Sequence, residues 1–120
     1  MKTLTESKNG SVQGRDALAR TLYLEGRNWA NEGGVYLLQA KRRLAGAKLL
    51  PVYANTAKDL EMAKKSFAKA RDCYYFARSL LPSRDLFDQI ELDTGALNRN
   101  LGSAKQMQKK VNVAFAYSLS

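Results

Sequence analysis

The sequence predicts a mainly α-helical protein: a small bundle of three or four helices with an Ala-rich, close-packed seam, and an optional short strand at the C-terminus. Three observations carry this reading. From Asn55 to Leu81, the residues Ala57, Leu60, Ala63, Phe67, Ala70, Tyr74, Ala77 and Leu81 recur at alternating three- and four-residue steps, which places them on one face of a helix. Small and bulky side chains alternate along that face, so Ala lets a second helix approach while Leu60, Phe67 and Tyr74 supply apolar area. Two earlier segments repeat the same pattern, and 45% hydrophobic with 26% charged residues suits a globular domain.

Residues 1–14 are polar, with Asn9-Gly10 as a turn signal and Gly14 as a breaker, so a flexible arm or short hairpin is expected ahead of a single domain over 15–120. Asp16 then offers an N-cap or first-turn acid to a helix reaching about Glu32, with Ala19, Leu22, Gly26 and Trp29 on its contact face. Gly26 disfavours a helix interior by roughly 1 kcal/mol against Ala, and beside Leu22 and Trp29 it suggests the close approach of another backbone. Gly33-Gly34 is read as a break.

A second helix from Val35 to about Lys48 puts Leu37, Ala40, Leu44 and Ala47 on one side and turns Lys41, Arg42 and Arg43 away. It should stop before Pro51, which disfavours helical geometry at Leu50. The long Ala-rich helix follows, with Asn55 or Thr56 as cap and Pro82 as its limit. Ser83 can cap a further helix with an acidic first turn and Leu86, Phe87 and Ile90 as its apolar side, ending near Thr94-Gly95. Strict alternation of Val111, Val113, Phe115, Tyr117 and Leu119 reads as a half-buried strand, although Met107, Val111, Ala114 and Phe115 would equally line a helix.

A chain of 120 residues buries one core, and it holds no apolar run near the roughly 20 residues that span a bilayer. The first residues lack an apolar signal core, and the single Cys73 cannot form an internal disulfide; a cytoplasmic protein is expected. Val35 to Leu50 is basic and amphipathic, but Tyr36 is its one interfacial aromatic, so no membrane partner is expected.

The sequence contains no histidine, which removes the commonest general base and metal ligand, and no Gly-rich loop precedes a Lys-Ser or Lys-Thr pair. An enzyme is therefore not expected, nor a cofactor. Asp85, Asp88, Glu91 and Asp93 suit the start of a helix better than a metal site, because their spacing fits no EF-hand loop. Cys73 borders the seam, where a buried structural thiol is the plainer reading than one activated by Lys69 or Arg71.

The formal net charge of +9 is segregated along the chain. No acid lies between Glu32 and Asp59, nor after Asp93. Lys64, Arg71 and Arg78 are seven apart, flanked by Lys65 and Lys69, while Lys41, Arg42, Arg43 and Lys48 form a second cluster. If the two helices pair as an antiparallel hairpin, these groups share a surface that follows phosphates. Lys41, Arg42, Arg43, Lys48, Lys64, Lys65, Arg71 and Arg78 are accordingly the candidate nucleic-acid-binding residues. Tyr75 and Phe76 lie off the seam, where a place in the core is the plainer reading than stacking on a base.

The expected function is a non-catalytic basic subunit that contacts nucleic-acid backbone without reading bases, self-associated or within a nucleoprotein assembly. The alternative is an interaction or inhibitor protein that docks its basic face on an acidic protein surface.

Overall fold

The computed structural model describes the backbone of residues 4–46 and 50–119 and the side chains of residues 14–46 and 51–117. Three helices make up the described chain: α1 (Leu4–Ala45), α2 (Leu50–Ser79) and α3 (Arg84–Leu119). They run up, down and up as a rod of 73 × 23 × 19 Å. The middle helix α2 packs along both neighbours, while α1 and α3 touch each other far less.

Ala-for-bulk exchange across α1 and α2 explains this pairing. Leu60, Ala63, Phe67, Ala70, Tyr74 and Ala77 of the expected seam are all buried, as are Ala19, Leu37 and Ala40 of α1. At two levels the small residue belongs to α1 and the ring to α2. A Cβ on Gly26 would stand 2.6 Å from the Tyr74 ring, and one on Gly33 would stand 2.6 Å from the Phe67 ring. Seven residues up α1 thus match seven down α2, so two antiparallel helices interlock with the same repeat.

Several element boundaries differ from expectation. Gly33-Gly34 does not break the chain: α1 runs through both, and Gly33 is where the fully buried Phe67 ring presses on helix backbone. Residues 4–14 are helical backbone continuous with α1, so no hairpin forms there. Asp16 therefore caps nothing in its own helix. Helix α2 starts at Leu50, not after Asn55, because Pro51 falls in the first turn, where a missing N–H removes no helical hydrogen bond. Thr56 is buried inside α2 and donates its hydroxyl to the Val52 carbonyl at 2.6 Å. The seam ends at Ala77, since Leu81 stands exposed in the turn.

Ser83 does precede the first residue of α3, and its carbonyl accepts the Phe87 N–H at 2.8 Å. That helix then continues past Thr94-Gly95 to Leu119, with the Thr94 hydroxyl turned back onto the Ile90 carbonyl at 2.7 Å. There are three helices, not four, and no strand among the described residues. Buried Leu86, Ile90, Leu97, Leu101, Ala104 and Val111 form one continuous helical stripe, with Met107, Ala114 and Phe115 half-buried beside it. The helical alternative for residues 107–119 is the one adopted. Ala47 and Lys48 lie outside the described residues.

A candidate anion-binding half

Contacts between helices fix how the three are levelled against one another. Gly33 faces Phe67, Arg78 meets Glu91 at 3.0 Å, and the Tyr23 hydroxyl donates to Asp93 at 2.6 Å. Equal steps along parallel α1 and α3 from Tyr23 and Asp93 bring Gly33 level with Leu101 to Ser103, a segment without charge. A cross-section at Gly33, Phe67 and Leu101 therefore divides the rod into two halves.

The halves differ sharply in charge. Among the described residues beyond that section α1 contributes Lys41, Arg42 and Arg43, α2 contributes Lys58, Lys64 and Lys65, and α3 contributes Lys105, Lys109 and Lys110; against these nine cations stand Asp59 and Glu61. Counting Glu32, at the boundary, still leaves cations ahead three to one. On the other side of the section the described side chains balance. Arg15, Arg20, Arg27, Lys69, Arg71, Arg78, Arg84 and Arg99 are matched by Asp16, Glu25, Glu32, Asp72, Asp85, Asp88, Glu91 and Asp93, eight against eight.

Of the candidate residues, Lys41, Arg42, Arg43, Lys64 and Lys65 share the basic half, while Arg71 and Arg78 fall in the balanced one. Arg43 is held by Asp59 at 2.6 Å across α1 and α2, and Lys65 lies 3.8 Å from Glu61. Arg78 is turned to α3, with Glu91 as ion-pair partner and the Phe87 ring 5.5 Å below its guanidinium. The stripe through Lys64, Arg71 and Arg78 is thus divided by its partners. Lys58, Lys105, Lys109 and Lys110 are members of the basic half that sequence reasoning left out; the acid-free tail after Asp93 was the signal for three of them.

Pairing leaves most of the basic half free. Among the described residues, two of its nine cations have an acidic partner, and Lys41, Arg42, Lys58, Lys64, Lys105, Lys109 and Lys110 have none. The half also holds an apolar cleft of about 310 Å³, lined by Tyr53, Ala54, Ala57, Val111, Asn112, Phe115 and Ala116.

The remaining chemical groups are mostly committed within the balanced half. Asp93 accepts from Tyr23 at 2.6 Å and from the Gln89 amide at 3.1 Å, while Asp88 lies 4.0 Å from Arg84. Burial, followed by its hydrogen bond to Asp93, raises the Tyr23 pKa. Burial also pushes Tyr74 up to about 12, helped by the negative charge of Asp93. Cys73 is half-buried, and burial together with Glu25 and Asp72 raises its thiol pKa, which disfavours the thiolate. Lys69 sits 4.2 Å over the Trp29 ring. Among the described residues, no group of three acids or thiols is placed to hold a metal ion.

Tyr75 and Phe76 are not core residues. They expose 66% and 58% of their surface and meet edge to face, with centroids 5.9 Å apart. Among the described residues no helix is long and apolar enough to cross a membrane. Comparison of the chain with protein-family models, with curated proteins and with solved structures finds no match.

Proposed function

We propose that this chain is a non-catalytic binding subunit that holds nucleic-acid backbone on its basic half, without base readout. The observation that supports this reading is the concentration, among the described residues, of nine cations against two acids in one half of the rod, seven of them without an acidic partner. Three helices contribute to it, so the cations are spread around and along a cylinder and not lined up on one recognition helix. Such an arrangement suits repeated phosphates, whose neutralisation releases counterions, and it supplies no planar set of groups aimed at base edges. Residues 101–119 of α3 extend for roughly 28 Å, which corresponds to about eight nucleotides of a strand in a duplex.

Fluorescence anisotropy against labelled single-stranded RNA, single-stranded DNA and duplex DNA tests this reading. Neutralisation by the seven unpaired cations among the described residues corresponds to a slope of about −6 in the plot of log affinity against log salt for duplex. Arg42→Ala and Lys109→Ala should each make the slope shallower by about 1, and Arg20→Ala, in the balanced half, should leave it unchanged. Absence of binding to all three ligands near physiological salt would overturn the proposal.

A second reading is docking on an acidic protein surface, with long-range charge steering the encounter. The apolar cleft inside the basic half favours it, because Tyr53, Val111 and Phe115 line a space suited to an apolar side chain of an acidic partner. Capture of a partner that survives nuclease treatment, and is lost on Phe115→Asp, distinguishes this reading from the first.

A further inference from the structure

The turn between α2 and α3 contains a backbone outlier. Leu81 has φ of 51°, the only positive φ at a non-glycine among the described residues. Its N–H donates to the Arg78 carbonyl at 3.0 Å, so it holds the left-handed position that terminates a helix and is most often occupied by glycine. A leucine there is disfavoured by its Cβ. It also leaves 76% of its surface in water. Glycine would relieve both conditions, so the side chain itself calls for an explanation.

The residue is presented firmly. Pro82 follows it with a fixed φ, and the Ser83 N–H donates to Asp16 Oδ1 at 2.7 Å, tying the turn to α1. Leu81 borders an open cavity of about 740 Å³ whose other walls are Ala17, Thr21 and Pro82 together with the polar Arg15, Asp16, Arg20 and Ser83. An apolar knob and a receiving hollow therefore occupy the same face of one molecule. Charge selects the partner. Two copies approaching by their basic halves repel, whereas this face pairs Arg20 with Asp16 and Arg84 with Asp88 inside the chain and leaves Arg15 and Asp85, of opposite charge, to pair with each other across a two-fold axis.

We propose that the α2–α3 turn is a self-association surface, with a second copy of this chain as its occupant and Leu81 at the centre of a two-fold contact. Each Leu81 enters the hollow of the other copy, a self-complementary arrangement that closes at two. The basic halves then lie on the far sides of the two copies, away from the contact. The inference does not depend on what the basic half binds.

Sedimentation equilibrium of the nuclease-treated full chain tests it. The unsubstituted chain should show a monomer–dimer equilibrium, whereas Leu81→Gly and Leu81→Asp should remain monomeric. Leu81→Gly should melt no lower than the parent chain, because it relaxes the backbone, and this separates lost association from lost fold. With Cys73→Ser in place, Leu81→Cys should cross-link into a covalent dimer on mild oxidation. A parent chain that is monomeric up to about 1 mM, or a Leu81→Gly variant that dimerises as strongly as the parent, would overturn the proposal.

Discussion

Gly33 and Gly34 are adjacent and identical in sequence, yet only one of them is needed. A Cβ at Gly33 would collide with the fully buried Phe67 ring, whereas at Gly34 it would meet nothing within 4 Å. Gly33→Ala should therefore destabilise the fold by about 1–3 kcal/mol, and Gly34→Ala should stabilise it by roughly 0.5–1 kcal/mol, both measurable by urea unfolding. Gly26 was legible as a site of close approach because Leu22 and Trp29 flank it in the sequence. The neighbouring pair was not, since the ring that distinguishes its members lies 34 residues further on. Tyr74 makes a pH prediction at the same scale. Its pKa is raised in the folded chain to about 12, above an ordinary value of 10.0, so the unfolded chain loses that proton first as pH rises. The stability it contributes is intact below pH 10 and falls by roughly 2–3 kcal/mol as pH climbs toward 12. Tyr74→Phe should flatten that part of a stability–pH curve.

Among the elements, α3 shows best where sequence periodicity misleads. Val111, Val113, Phe115, Tyr117 and Leu119 alternate, but Val113 and Tyr117 are exposed and Val111 continues the stripe begun by Leu86 and Ile90. A short apolar-rich stretch fits both periods, and the choice is made by the stripe it joins, more than twenty residues upstream. Thr94-Gly95 failed as a stop for a related reason: a hydroxyl can return to its own helix, and an interior Gly costs less than the contacts α3 makes with α2. The end of α3 is fixed from outside, since Asp16 of α1 accepts the Ser83 N–H and adds negative charge where the helix dipole is positive. Asp16→Ala should lower stability by about 0.5–2 kcal/mol, with amide exchange quickening in the first turn of α3.

The whole molecule is long for its mass. Its radius of gyration is 19.5 Å, against about 14 Å for a compact domain of this length, and small-angle scattering of the monomer should return the larger value. Length permits the charge separation that defines the candidate site. The Ala-rich seam and the helical class were legible because each is written in neighbouring residues. The basic half was legible only in part, because Lys41 to Arg43, Lys58 to Lys65 and Lys105 to Lys110 become one region through the antiparallel register, which composition does not encode. Arg71 and Arg78 show the converse, since they continue a sequence stripe that the helix packing divides. The central position of α2 also bears on biosynthesis. Because α1 and α2 interlock through their own glycines and rings, with little contact between α1 and α3, the first hairpin can form before α3 leaves the ribosome, and α3 can zip onto the face of α2 left open for it.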